Sequence, residues 1–180
     1  MRKVMLDAAI ELLLTGGAGE VTANRIAEET GVARTTIYRQ WPDQPSLMLA
    51  TIDALVAPHH SMASSGDLRT DLASMLSGLR TRLVTREVRP VFAALVDHAL
   101  RDGAFVAAQR RFVQGMVQPT IDVLDQAKER GDLAPDLDCA AAATTLTGPI
   151  FHQFLLMQEP IDDELIEQVI EQFMGARSAR

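Results

Sequence analysis

Apolar positions along this chain recur every three or four residues, and almost no stretch alternates. Met5, Ala8, Ala9, Leu12 and Leu13 follow the i, i+3, i+4, i+7, i+8 rule of a helix with one buried face, and Gly16-Gly17 stops that helix. Thr22 is placed to cap a second helix running to about Glu29, which Gly31 ends in the left-handed conformation that glycine adopts at little cost. A short third helix is expected from about Ala33 to Arg39. Trp41-Pro42 breaks it, because the residue before a proline is pushed out of the helical region. Asp43 then caps a fourth helix that tolerates Pro45 in its first turn. Beyond residue 58 the pattern predicts longer helices at about 67–85, 88–101, 103–130, 136–157 and 161–175. Gly131, Pro135 and Pro160 punctuate the last three, while Pro119 and Pro149 fall inside helical patterns and are expected to kink or interrupt them. Strand signals are nearly absent: β-branched residues are scattered, aromatics make up 4%, and no hairpin dipeptide sits between alternating runs. The expected fold class is all-α, with about nine helices.

Composition narrows the function classes. With 180 residues and 47% apolar content, the chain can bury one sizeable core or two small helical modules. No window approaches a membrane-spanning run, and the opening "RKVMLDAAIELLL" is amphipathic and carries acidic residues, unlike a signal peptide. A cytoplasmic protein is expected. The lone Cys139, in an Ala-rich helical stretch, agrees with a reducing compartment and reads as a small buried residue. His59-His60 are adjacent and point apart on a helix, so no metal site is expected there. A nucleophile with a base at suggestive spacing, HExxH, a phosphate-binding glycine loop and a cysteine cluster are all missing from the sequence. It reads as a non-enzyme without a cofactor.

Net charge is −7, which argues against a nucleic-acid partner until its distribution is considered. Residues 1–47 hold five basic residues (Arg2, Lys3, Arg25, Arg34, Arg39) against six acidic ones, and the remainder holds twelve against eighteen. The acidity therefore belongs mainly to the longer part, and the arginines of the first segment cluster around one turn. Two short helices joined by a turn of three or four residues with a glycine form a helix-turn-helix, which projects its second helix outward. Val32, Ile37 and Trp41 are the apolar anchors of that second helix, facing Ile26 and Ala27. The rest of "ARTTIYRQ" presents arginine, hydroxyls, tyrosine and an amide, the donors required by phosphate oxygens and major-groove base edges. Thr22 adds a hydroxyl and free backbone N–H groups for a phosphate. Spacing alone leaves an ordinary solvated helical face as an equal alternative.

The stretch from Met5 to Leu47 resembles the DNA-binding domain of the tetracycline-repressor (TetR) family. Its motifs are an alanine-rich first helix ending in glycine, the "IA…GV…T-IY…W" core within "TANRIAEETGVARTTIYRQWPDQPSL", and the aromatic-Pro-polar lead into the fourth helix. This resemblance covers about a quarter of the chain closely. It implies a helix-turn-helix DNA-binding domain at 1–47 and a carboxy-terminal ligand-binding and dimerisation domain at 48–180. The family's DNA-facing positions fall on Thr22, Ala33, Arg34, Thr35, Thr36, Tyr38 and Arg39, with Thr22 and Tyr38 as phosphate clamps and Arg34, Thr35 and Arg39 nearer the bases. Where Gln44 stands, family members usually carry a lysine that contacts a phosphate. Loss of that charge is expected to weaken binding and to alter its salt dependence.

A helix this short cannot read a long site alone, so useful affinity requires two copies on a two-fold axis, and hence a palindromic operator in double-stranded DNA. Ala140, Thr144 and Gly148 are small enough for close helix approach, and Leu165, Ile166, Val169, Ile170 and Phe173 form an apolar stripe at helical spacing. The alternative is burial of that stripe within one chain. The resemblance implies a homodimer joined by a four-helix bundle from the last two helices. Between the two ends lie Met62, Met75, Leu79, Phe92, Val96, Phe105, Phe112, Met116, Leu124, Phe151 and Phe154, which read either as core or as the lining of an effector pocket. Interleaved His98, Gln109, Gln114, Thr147, His152 and Gln153 are placed to orient a mostly apolar ligand. The expected protein is a homodimeric repressor released by a small apolar or amphipathic effector. The rival from another class is a helical small-molecule carrier that has lost specific DNA binding, a reading that Gln44 and the acidic total favour.

Overall fold

A computed structural model describes residues 1–55, 64–85 and 88–178. Among the described residues there is no strand. The helices are α1 (Arg2–Gly16), α2 (Ala23–Thr30), α3 (Arg34–Gln40), α4 (Gln44–Leu55), α5 (Leu68–Leu83), α6 (Val88–Arg101), α7 (Val106–Arg130), α8 (Cys139–His152) and α9 (Asp163–Ser178). Short 3-10 turns lie at Ala18–Glu20 and Gly103–Phe105. Neither internal proline interrupts its helix: α7 runs through Pro119 and α8 through Pro149. After α8 the backbone widens into a π turn, Gln153–Met157, and stops at Gln158, whose φ of 56° is left-handed. α8 begins at Cys139, later than the sequence pattern suggests. There the Asp138 carboxylate accepts hydrogen bonds from the amides of Ala140 and Ala141 and sets the helix start.

The chain packs as two compact units, Met1–Pro58 with Thr85–Gly115, and His59–Val84 with Met116–Arg180. This division differs from a boundary near Leu47, because α6 lies against α1 and joins the amino-terminal helices. The first unit is built on fully buried Met5, Leu13, Ile26, Ile37, Leu47, Met48 and Ile52. Asp53 on α4 also meets the Arg111 guanidinium of α7 at 2.6 Å.

The second unit buries Leu72, Leu76 and Leu83 of α5, Leu124 of α7, Leu146 and Ile150 of α8, and Ile170 of α9. Its one buried carboxylate among the described residues is Asp71, which accepts from the Ser64 hydroxyl at 2.6 Å and the Ser65 amide at 2.8 Å, with Arg130 at 3.5 Å. Burial pushes the Asp71 carboxyl up, but the serine hydrogen bonds and Arg130 outweigh it and hold the group below its ordinary value. Cys139 is buried as expected, and burial together with Asp125 raises its thiol to about 11. That thiol stays protonated and unreactive.

Candidate nucleic-acid interface

The helix-turn-helix is assembled by local chemistry at each boundary. Thr22 has extended backbone, and its Oγ1 accepts the Arg25 amide at 3.2 Å, capping α2. That bond uses a lone pair and leaves the hydroxyl proton free to donate to a phosphate. α2 ends at Gly31, whose amide donates to the Ala27 carbonyl at 2.9 Å and whose φ of 69° turns the chain out of the helix. A side chain with Cβ at this position would strain the turn that aims α3. Ile37 is fully buried and Trp41 nearly so, pinning α3 by one face and its end. The Arg2 guanidinium lies 5.8 Å over the Trp41 ring, so this cation braces the end of α3.

Pinning that face turns the other outward. Ala33, Arg34, Thr35, Tyr38 and Arg39 are exposed, Tyr38 by 49%, while Thr36 and Thr22 are half-buried. The structure therefore gathers these expected DNA-facing residues on α3 and the start of α2. Arg34 donates to the Asn24 side-chain carbonyl at 3.2 Å, a contact across the turn between residues ten apart. Sequence reasoning passed over Asn24, since a lone asparagine in a helix carries no motif, and only the turn geometry brings it to Arg34. Arg25 is spent differently: Glu20, Glu28 and Glu29 surround it at 3.0, 2.9 and 3.7 Å. Gln44, half-buried at the start of α4, turns its Nε2 inward to the Val21 carbonyl at 3.2 Å.

The residues expected to meet an effector fall in both units. In the first, Phe92 and Phe112 stack edge to face at 5.9 Å, and His98 does so with Phe105 at 5.3 Å. The His98 Nδ1 lies 2.9 Å from the Ala94 carbonyl, and Val96 is half-buried. In the second, Met75, Leu79 and Met116 are buried, Phe151 is half-buried and His152 is exposed. Met62, His59 and His60 lie outside the described residues. An open groove of about 1130 Å³ in the first unit runs between α1 and α6, along Ile10, Leu14, Pro90 and Ala94. None of the described effector candidates borders it. Of the pairing candidates, Ala140, Thr144 and Gly148 line an exposed face of α8. Ile166, Val169 and Ile170 are buried within the chain itself, with Leu165 and Phe173 half-buried.

Comparison with known proteins places this geometry. Residues 5–51 match the family described as bacterial regulatory proteins, tetR family, and residues 62–173 match the tetracyclin repressor-like C-terminal domain. The chain is 25% identical over 178 residues to the HTH-type transcriptional regulator YdeS of Bacillus subtilis, covering 98% of this chain and 89% of that one. It is 25% identical over 172 residues to the DNA-binding transcriptional repressor TetR of Mycobacteroides abscessus, covering 93% and 88%. The crystal structure of the TetR family transcription regulator SCO0332 superimposes with a TM-score of 0.75 at 25% identity, over 97% of this chain and 96% of that one. Matched by both domains of one family in their order, the protein belongs to the TetR family of DNA-binding transcriptional regulators.

Proposed function

We propose that this regulator is a repressor that binds a palindromic operator as a homodimer, one α3 in each of two successive major grooves, and that a small apolar or amphipathic effector releases it. In this reading residues 1–47 hold the DNA contacts, and residues 48–180 bind the effector and pair the subunits. The single observation that carries it is the outward face of α3, where Arg34, Thr35, Tyr38 and Arg39 are exposed together while Ile37 and Trp41 are buried behind them. Arginine supplies paired donors to guanine edges, and hydroxyls supply donors to phosphate. Pairing is supported by α8, where Ala140, Thr144 and Gly148 repeat every four residues on an exposed face and a Cβ at Gly148 would meet nothing within 4 Å. Ile166, Val169 and Ile170 are buried inside the chain, so the apolar stripe of α9 is largely used within one subunit, with Leu165 and Phe173 half-buried at its edges.

Effector binding draws support from proteins of the same fold. One from Saccharomonospora viridis forms a complex with choline and one from Bacillus subtilis with stearoyl-CoA, at TM-scores of 0.60 and 0.56. Release requires the effector to prefer a conformation whose recognition helices no longer match the grooves. The test is fluorescence anisotropy of the purified protein on DNA from immediately upstream of its own gene, at two salt concentrations, beside a scrambled duplex. Tight binding to the first duplex alone, weakening with salt, is expected. Equal, feeble binding to both, with no winner from a random duplex library, would instead favour a carrier that has lost its operator.

A further inference from the structure

Three threonines are buried to within 1% of full enclosure: Thr51, Thr120 and Thr147. Two of them satisfy their hydroxyls in the same way. Thr51 donates to the Leu47 carbonyl and Thr147 to the Ala143 carbonyl, each at 2.8 Å and four residues back along its helix. Thr120 has the same option at Met116 and does not take it. Its Oγ1 is the one buried side-chain oxygen or nitrogen without a hydrogen-bond partner among the described residues. A buried hydroxyl in this state is destabilising until something bonds to it.

The setting of Thr120 defines what that something is. It lies one turn beyond Met116 on the inward face of α7, followed on the same face by Val123, Leu124 and Ala127, all buried. Its unit also buries Met75 and Leu79 of α5. Methionines are unbranched and adapt to an inserted shape more readily than β-branched residues do. The other buried polar groups of this unit are already committed, Thr147 to Ala143 and Asp71 to Ser64, Ser65 and Arg130. Among the described residues of this unit, no other buried charge is left to pair with a charged ligand. We infer that the Thr120 hydroxyl is the polar anchor of the effector site, and that it takes a neutral, predominantly apolar molecule presenting one carbonyl or hydroxyl oxygen. This rests on the effector reading above and narrows it to a ligand class.

The test uses the full chain, with acetophenone beside ethylbenzene and 2-octanone beside 1-octene as probes, read by thermal shift. Wild type and Thr120→Ser are expected to bind each ketone more tightly than its hydrocarbon. In Thr120→Val the ketone should bind roughly fivefold more weakly, closing the gap. Without any probe, Thr120→Val should unfold at the same temperature or higher, since valine has the same shape and no hydroxyl. A clear drop would show the hydroxyl already bonded within the chain and overturn the assignment. Equal binding of ketone and hydrocarbon to wild type, or a gap that survives in Thr120→Val, would overturn it too while leaving an effector site in place. Uptake of none of the four probes also overturns it, and operator release by charged compounds then decides separately whether the protein has an effector at all.

Discussion

The arginines of α3 and those of the second unit are chemically the same and stand in opposite surroundings. On α5, Arg69 reaches Glu167 at 2.6 Å and Glu171 at 3.4 Å, and Arg80 reaches Asp163 at 2.6 Å, so both tie α5 to α9. Arg130 holds Ser64, Asp71 and Asp132. On α3, Arg39 is exposed and meets no carboxylate within ion-pair distance among the described residues, and Arg34 bonds only to the neutral Asn24 amide. Arg25 supplies the control, since it sits one helix earlier in the same unit yet is enclosed by three glutamates. A guanidinium within reach of its own chain's acids is a clasp, while one held away from them keeps its charge for a phosphate or a base. Position relative to carboxylates, rather than residue type or net charge, separates the two uses. On the proposed reading, this is how an acidic protein keeps a cationic face for DNA.

The comparison is broken most directly at Arg39. Arg39→Ala should weaken operator binding by roughly 1–3 kcal/mol and leave the melting temperature unchanged. Arg25→Ala, measured beside it by the same anisotropy titration, should change affinity far less. A melting loss in Arg39→Ala, or equal affinity losses in both variants, would return Arg39 to the clasps.

The reverse is expected of the buried acid. Asp71→Asn should lower stability by about 1–2 kcal/mol in urea titrations while operator affinity holds. Because the folded Asp71 carboxyl lies below its ordinary value, its contribution is present above the unfolded carboxylate range and disappears as pH falls through the folded value. The unfolding midpoints of wild type and Asp71→Asn should therefore differ at neutral pH and converge on acidification below about pH 4. Midpoints that differ equally at every pH would show that the charge of Asp71 is not the stabilising element.

The smallest effect sharpens the comparison by adding a cation. Gln44→Lys should tighten binding to specific and scrambled duplexes alike and steepen the salt dependence by about one unit of log–log slope. The Gln44 amide now points to the Val21 carbonyl. An unchanged slope would mean that a lysine is captured there as well.

Helices with strong local punctuation were legible before any coordinates. The Thr22 cap, the Gly31 turn and the Trp41-Pro42 break each rest on a residue's own backbone preference, and each lies where the pattern put it. The arginine-rich face was legible for the same reason, because burying Ile37 forces its neighbours on the helix outward. The widened turn after α8 was not, since a proline pattern announces a disturbance without stating its form. The burial of Ile166, Val169 and Ile170 inside the chain was equally hidden. An apolar stripe has the same spacing whether it meets its own chain or a second copy.

The sequence by itself determined the helical class, the family and the outward set on α3, because periodicity, caps and turns act over a few residues. Tertiary structure decided which partners those residues met. It brought Asn24 to Arg34, three glutamates to Arg25 and two serines to Asp71. It also left Thr120 without the hydrogen bond that Thr51 and Thr147 make. A hydrogen bond or ion pair depends on distances of a few ångströms between atoms that spacing along the chain does not fix, and the packed helices set those distances.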